Sequence, residues 1–294
     1  MNEHSLLIPS GASVSHGVRP LLTRPDPIWR TIRDEALAAI EKDPSVEPLF
    51  QNLVLRHQSL EAALMHTLAG RLCDCSWGAD AIEALFTDIA ADHDVLPNLA
   101  ADMTAVYDRD PACHRYVEPL LFFKGFQALQ TQRFANALWA AERQDMALFL
   151  QSKASAAFQV DIHPATRIGG GVFLDHATGI VIGETALIED NVSILQGVTL
   201  GGTGKQSGDR HPKVRCGVLV GAGAKVLGNI ELGHGAKVAA SSVVLDPVPP
   251  LATVAGIPAK IVGRAEPEGP DCMPSLSMDH TMPQEPMVDV GFGI

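Results

Sequence analysis

The sequence predicts an N-terminal all-α domain followed by a left-handed parallel β-helix built from hexapeptide repeats. Between residues 161 and 264, aliphatic residues recur at every sixth position in three series, which begin at Ile162, Ile182 and Val220. A helix repeats near 3.6 residues and an ordinary strand at 2, so neither explains this period. A β-helix explains it, because each six-residue unit forms a short strand and a turn, and three units close one coil.

Composition and a second periodicity support this division of the chain. Phe173 is the only aromatic residue between 161 and 264, which suits a narrow core, whereas Ile28, Ile32 and Ala36 follow the spacing of a helix. The segment after Arg264 contains six acidic residues and no Lys or Arg. We expect a flexible N-terminal extension over residues 1–28, a helical domain over 29–159, the β-helix over 160–264 and a flexible acidic C-terminal tail over 265–294.

Charge and cysteine content limit the possible functions. A net charge of −12 argues against nucleic-acid binding, which needs clustered Lys and Arg. No run of about 18 apolar residues and no basic, apolar leader is present, so we expect no membrane association and a cytoplasmic protein. The cysteine number is five and CxxC spacing is absent, which predicts reduced thiols and no metal site.

Clusters of Asp, His and other polar residues lie within or between the six-residue repeats at three places. They begin at Asp161, at Asp175 and at Gly208, the last within a Gly-rich interruption between Leu200 and Val218. Since adjacent coils are about 18 residues apart, we expect Asp161 and His176 near one corner. A carboxylate beside an imidazole fixes its tautomer and raises its basicity, as a general base requires.

Two motifs carry a family resemblance. The sequences LDHATG at 174–179 and GDRHPK at 208–213 resemble those of serine acetyltransferases, and FFKGFQALQTQRFANALW at 122–139 is similar to the linker segment of that family. The resemblance covers roughly residues 29–264 and implies acetyl transfer from acetyl-CoA to the hydroxyl group of L-serine.

The resemblance also implies roles for individual residues. It assigns His176 as the general base, Asp161 as its carboxylate partner, His211 as the second active-site histidine, Arg210 as the ligand of the serine carboxylate, and Asp175 and Asp110 as ligands of the serine ammonium. A bidentate guanidinium suits a carboxylate, and paired carboxylates suit an ammonium group. No cysteine lies in a motif, so we expect direct attack by serine rather than an acyl-enzyme.

We expect the coenzyme to lie along a groove between neighbouring β-helices. The residues small enough for close approach are Gly202, Thr203, Gly204, Ala222, Gly223 and Ala240, and the candidate phosphate ligands are Lys237 and Lys260. The run Ala239-Ala240-Ser241 stands where the resemblance leads us to expect a glycine, and the change adds a methyl group near the groove.

The resemblance implies three kinds of partner. Members of the family form trimers or dimers of trimers, and L-cysteine inhibits by occupying the serine site. Their C-terminal peptide binds O-acetylserine sulfhydrylase, and the matching residues are Gly293 and Ile294, preceded by Phe292 instead of an acidic residue.

Three alternatives remain open from the sequence. The first is an acetyltransferase of the same fold with another acceptor, such as homoserine or a sugar. The second is a zinc carbonic anhydrase, although the histidines at 163, 176, 211 and 234 lack the close pair expected of its ligands. The third is a scaffold that binds partners through its tail.

Overall fold

The N-terminal part of the protein is a bundle of helices. The structure is a computed structural model and describes residues 27–204, 207–264 and 273–281. The helices are α1 (Pro27–Lys42), α2 (Glu47–Phe50), α3 (Leu60–Leu72), α4 (Ala79–Asp92), α5 (Leu99–Arg109), α6 (Val117–Leu121), α7 (Lys124–Ala140) and α8 (Gln144–Phe158), with a 3₁₀ turn at Pro44–Val46 and a π turn at Gln51–Leu55.

Local sequence signals set several helix ends. Ser59 precedes α3, and its hydroxyl accepts a hydrogen bond from the Ala62 N–H at 3.2 Å, which satisfies an otherwise free donor of the first turn. Gln159 follows α8 with φ of 59°, the left-handed conformation that commonly ends a helix. The bundle core includes Phe86 and Phe134, both fully buried, with ring centroids 4.2 Å apart.

A parallel β-helix follows directly. Its strands are β1 (Val160–Ile162), β2 (Arg167–Ile168), β3 (Phe173–Asp175), β4 (Ile180–Ile182), β5 (Leu187–Ile188), β6 (Ser193–Leu195), β7 (Thr199–Gly201), β8 (Lys213–Val214), β9 (Leu219–Val220), β10 (Lys225–Leu227), β11 (Glu231–Leu232), β12 (Lys237–Val238), β13 (Val243–Val244), β14 (Ala252–Gly256) and β15 (Ala259–Arg264). They form three sheets in the orders β1-β4-β7-β10-β13, β11-β8-β5-β2 and β15-β14-β12-β9-β6-β3. The expected fold, a helical domain followed by a hexapeptide β-helix, is confirmed.

Strand register shows where the repeat departs from six. Phe173 pairs with Ser193 and Val181 pairs with Thr199, so the step from the third sheet to the first is two residues longer in the first coil than in the second. Both extra residues fall in the turn that contains His176. A longer insertion, residues 202–212, separates β7 from β8. The two interruptions therefore carry the two sequence motifs.

A buried ion pair joins the helical domain to the β-helix. Arg133 on α7 contacts Asp102 on α5 at 2.7 Å, with side-chain exposures of 7% and 0%. Arg133 also donates to the carbonyl of Gly169 at 2.7 Å, and Asp102 accepts from the Val172 N–H at 3.2 Å. At the start of α7, a Cβ on Gly125 would lie 2.0 Å from the Leu174 carbonyl oxygen, so only glycine permits this approach to β3.

The short segment 273–281 differs from the flexible tail that the sequence predicted. It contains α9 (Pro274–Ser277), and the buried Ser193 hydroxyl donates to the Ser275 carbonyl at 2.8 Å. Met273 packs over Gly217 and Gly235, where a Cβ would lie within 3.1 Å of the thioether sulfur. Glycines on the β-helix therefore leave room for this segment. Gly293 and Ile294 lie outside the described residues.

The described residues offer neither a membrane-spanning helix nor a metal cluster, and their cysteines are unpaired. No helix there combines the length and apolar character that crossing a membrane requires. No group of three or more His, Cys, Asp or Glu in the described ranges could hold a metal ion. Cys73, Cys75, Cys113 and Cys216 are free thiols.

Candidate active site

The His176 turn projects a side chain from one corner of the β-helix. His176 and Ala177 have φ of 54° and 61°, and two consecutive non-glycine residues in the left-handed region indicate local strain. The Gly179 N–H donates to the Gln159 carbonyl at 2.7 Å, and the Lys124 ammonium donates to the Thr178 hydroxyl. These contacts hold the turn while leaving the His176 side chain 75% exposed.

Two carboxylates from different domains lie beside this turn. Oδ1 of Asp175 is 3.8 Å from Nε2 of His176. Burial, and secondarily the negative charge of Asp110, raise the pKa of Asp175, while His176 and His280 act in the opposite direction. Asp110 directly follows α5 and accepts a hydrogen bond from the Ala112 N–H at 2.8 Å. The arrangement favours a cation between the carboxylates.

His280 was not identified as a site residue from the sequence. It belongs to the 273–281 segment, and its charge acts on Asp175. Sequence spacing could not have found this neighbour, because the contact depends on how the tail packs against the β-helix.

Asp161, the predicted carboxylate partner of His176, lies on the first strand of the β-helix. It lies between the buried Val160 and Ile162 on β1, and its Oδ1 accepts a hydrogen bond from Nε2 of Gln151 at 2.7 Å. Within the described part of a single chain, no ion pair joins Asp161 to His176. The Gln159 carbonyl, two residues before Asp161, accepts a hydrogen bond from Gly179 in the His176 turn.

Arg210 and His211 are seated against the turn that follows β4. Nη2 of Arg210 donates to Oε2 of Glu184 at 2.7 Å, and this contact lowers the pKa of Glu184. The Thr185 hydroxyl accepts from the backbone N–H groups of Arg210 and His211 at 3.0 and 3.2 Å. Glu184 and Thr185 were not singled out from the sequence, because their partners are 25 or 26 residues away along the chain.

His211 is buried, with only 7% of the residue exposed. Its Nδ1 accepts from the Thr185 N–H at 3.1 Å and lies 2.8 Å from the Thr185 hydroxyl. Burial first, and then the positive charge of Arg210, lower the pKa of His211. The imidazole covers Gly183, where a Cβ would lie 2.1 Å from Nε2.

The two motifs occupy different corners of one chain. The His176 turn precedes β4, whereas Arg210 and His211 contact the turn that follows β4. This strand has three residues, so its length separates the corners by about 10 Å. A single chain therefore brings Asp110, Asp175 and His176 together, and holds Arg210 and His211 apart from them.

The small residues expected to bind the coenzyme are divided between the same two corners. Gly179, Gly197 and Gly223 stack on successive coils: a Cβ on Gly179 would lie 3.7 Å from the Gly197 Cα, and one on Gly197 would lie 3.4 Å from the Gly223 Cα. Ala222 and Ala240 continue this corner, because the Ala222 carbonyl accepts from the Ser241 N–H at 2.7 Å beside the exposed Ala240. Gly202, Thr203 and Gly204 instead follow β7, on the Arg210 side.

The two candidate lysines are placed differently. Lys237 is only 7% exposed, and its ammonium donates to the Thr281 carbonyl, while burial lowers its pKa. In this structure the packed tail segment already accepts a hydrogen bond from the Lys237 ammonium. Lys260 is exposed on β15.

The chain is similar to known proteins over most of its length. A family model described as serine acetyltransferase, N-terminal, matches residues 28–131. The serine acetyltransferase of Salmonella typhimurium is 53% identical over 253 residues, which cover 86% of this chain and 91% of that protein. The chain belongs to the serine acetyltransferase family.

Two solved structures extend the similarity to three dimensions. The serine acetyltransferase of Brucella abortus in complex with coenzyme A is 53% identical, with a TM-score of 0.80, covering 82% of this chain and 97% of that one. A serine acetyltransferase in complex with cysteine is 48% identical, with a TM-score of 0.83, covering 87% and 98%. Membership of this family makes the protein an acyltransferase.

Proposed function

We propose that the protein is a serine O-acetyltransferase that uses His176 as general base. The observation that carries the proposal is the corner where an exposed imidazole faces Asp175, with Asp110 acting on the same carboxylate. An amino-acid ammonium bound between the carboxylates would place the acceptor hydroxyl beside Nε2, the ring atom that faces them. We assign Asp161 the role of orienting the imidazole through Nδ1, which has no hydrogen-bond partner among the described residues.

The acceptor carboxylate requires a cation, and the Lys124 ammonium at this corner already donates to the Thr178 hydroxyl. Arg210 is the candidate, because its guanidinium presents a planar fork suited to a carboxylate. Since Arg210 and His211 lie at another corner, we propose that the complete site forms between neighbouring β-helices of a trimer, which the helical domain joins into a dimer of trimers. One copy would contribute His176 and the next Arg210 and His211.

The proposed reaction is one nucleophilic substitution at the thioester carbon. Nε2 of His176 removes the serine hydroxyl proton as the oxygen forms a bond to the carbonyl carbon. The tetrahedral oxyanion then collapses, the C–S bond breaks, and the imidazolium returns the proton to the departing CoA sulfur. His211 or backbone N–H groups would stabilise the oxyanion.

The residues at the His176 corner are compatible with acetyl-CoA. The stacked Gly179, Gly197 and Gly223 leave this edge without Cβ atoms, so an extended pantetheine arm could approach the backbone closely. Ala222 and Ala240 continue the edge, Gly202, Thr203 and Gly204 would line it from a neighbouring copy, and Lys260 would contact a phosphate. The relative from Brucella abortus was solved in complex with coenzyme A, which supports binding of this coenzyme.

Two regulatory contacts complete the proposal. L-cysteine, which is bound in a related structure, would occupy the serine site through the same ammonium and carboxylate contacts and inhibit the enzyme. The terminal Gly293-Ile294 peptide would bind O-acetylserine sulfhydrylase, because an apolar side chain next to a free carboxylate suits a backbone nest.

A thiol-release assay with acetyl-CoA tests the proposal. We expect CoA release that depends on L-serine and is at least about tenfold slower with homoserine, because one extra methylene changes binding by about 1–3 kcal/mol. Faster release with homoserine would assign another acceptor. Release at the acceptor-free rate with both would contradict the acetyltransferase function and favour a scaffold.

A further inference from the structure

The turn Gly183-Glu184-Thr185, which follows β4, makes hydrogen bonds to Arg210 and His211 that the proposed chemistry does not explain. Every hydrogen-bonding group of Thr185 is directed at the inserted loop. Its hydroxyl accepts from the N–H groups of Arg210 and His211, and its carbonyl accepts from Lys213 at 3.0 Å. Its own N–H donates to Nδ1 of His211 at 3.1 Å.

These contacts determine which ring nitrogen of His211 carries the proton. Because the Thr185 N–H donates to Nδ1, that nitrogen must offer a lone pair. The Thr185 hydroxyl accepts from two backbone N–H groups, and its hydrogen can point to Nδ1, 2.8 Å away, or to the Asp209 carboxylate, with which it also interacts. A neutral imidazole that accepts at Nδ1 carries its hydrogen on Nε2.

The surroundings also oppose protonation of His211. A proton on Nδ1 would meet the Thr185 N–H, which can only donate, and His211 is largely withdrawn from water. The charged groups that act on it are Arg210, Glu184, Lys213 and Asp209. In the described part of the chain, Nε2 forms no hydrogen bond, so its N–H remains available to a ligand.

We propose that Thr185 is a positioning residue that holds His211 as the neutral Nε2–H tautomer, so that His211 acts as a hydrogen-bond donor and not as a base. This inference rests on the proposed function and extends it, because it assigns different chemical roles to the two histidines. His176 accepts the proton, whereas His211 donates a hydrogen bond to the oxygen that gains charge. Gly183 supports the arrangement by leaving the space that the imidazole occupies.

The first test is spectroscopic and needs no activity. In full-length protein labelled with ¹⁵N-histidine, the His211 resonances are assigned by comparison with His211→Asn. We expect wild type to show a lone-pair Nδ1 and a protonated Nε2 near neutral pH. Thr185→Val should raise the pH at which His211 titrates, because one donor to Nδ1 is lost, and Thr185→Ser should restore the wild-type value. A protonated Nδ1 in wild type, or an unchanged titration in Thr185→Val, would overturn the proposal.

The second test measures turnover with acetyl-CoA and serine. We expect Thr185→Val to lower kcat about tenfold, the effect of losing one hydrogen bond in the transition state, with Thr185→Ser near wild type. Thr166→Val is the matched control, because the fully buried Thr166 hydroxyl donates to the Gly183 carbonyl at 3.1 Å without contacting the loop. An equal decrease of kcat in Thr166→Val would mean that the effect comes from altered packing of this corner of the β-helix, and it would overturn the proposal. Inactive wild type with the expected spectra would overturn the proposed function alone.

Discussion

Nε2 of His176 lies 3.8 Å from Oδ1 of Asp175, which is beyond hydrogen-bond distance but close enough for charge to matter. The Asp175 carboxylate is therefore not the group that orients the imidazole. Instead, Nε2 faces the place where Asp175 and Asp110 favour a cation. This relationship directs the basic nitrogen toward an acceptor held by its ammonium group.

The Asp110–Asp175 pair predicts that serine binding depends on pH. Asp175 must be ionised to hold an ammonium, and its raised pKa means that the KM for serine should rise as pH falls through that pKa. Asp110→Asn removes a charge that raises this pKa, so the increase should begin at lower pH. The same variant should raise the KM at neutral pH by about tenfold or more, because a charge-assisted contact is lost. Profiles of the KM for serine, measured from neutral pH downward into the acidic range where carboxylates titrate, check both effects. An increase in KM that begins at the same pH in Asp110→Asn as in wild type would contradict the assignment.

Asp161 and Asp175 should affect different kinetic constants. We expect Asp161→Asn to lower kcat about tenfold or more with little change in the KM for serine, because it orients the base. Asp175→Asn should chiefly raise that KM. Gln151→Ala is the control for Asp161, since it removes the hydrogen bond to Asp161 and leaves the carboxylate charge. Steady-state kinetics would count against these roles if Asp161→Asn changed the KM alone.

The β-helix and the position of its motifs could be predicted from the sequence. Each six-residue unit places one aliphatic residue in the core, so aliphatic residues recur at every sixth position. The extra residues around His176 and the loop before His211 are visible as breaks in that signal. The contacts of Thr185, Glu184 and His280 are not visible, because each depends on segments far apart in the chain. Lys237 shows the same limit, since only the packed tail reveals that its ammonium is already occupied.

Breaking the buried Arg133–Asp102 pair should be strongly destabilising. Asp102→Ala leaves a buried guanidinium without its partner and should lower the free energy of unfolding by about 3–5 kcal/mol. The exposed pair of Arg143 and Asp88 provides the control, because Asp88→Ala should cost less than about 1 kcal/mol. Denaturant unfolding at one protein concentration compares the variants. Equal decreases in the free energy of unfolding for Asp102→Ala and Asp88→Ala would mean that burial of the ion pair does not determine the cost of breaking it.

The C-terminal residue should be needed for partner binding. Deleting Ile294 removes the apolar side chain and moves the terminal carboxylate to Gly293, so binding to O-acetylserine sulfhydrylase should be lost while acetyl transfer is kept. Co-purification or calorimetry with the sulfhydrylase checks this. Replacing Phe292 by Asp is the companion variant and should strengthen binding. Undiminished binding after the deletion would locate the contact elsewhere on the chain.

The central claim is that His176 removes the acceptor proton, and the turnover of His176→Ala tests it most directly. With saturating serine and acetyl-CoA, we expect kcat to fall by about 10² to 10⁴-fold, the usual contribution of a general base, while circular dichroism and thermal unfolding match wild type. A correctly folded His176→Ala variant with near-normal kcat would contradict the account.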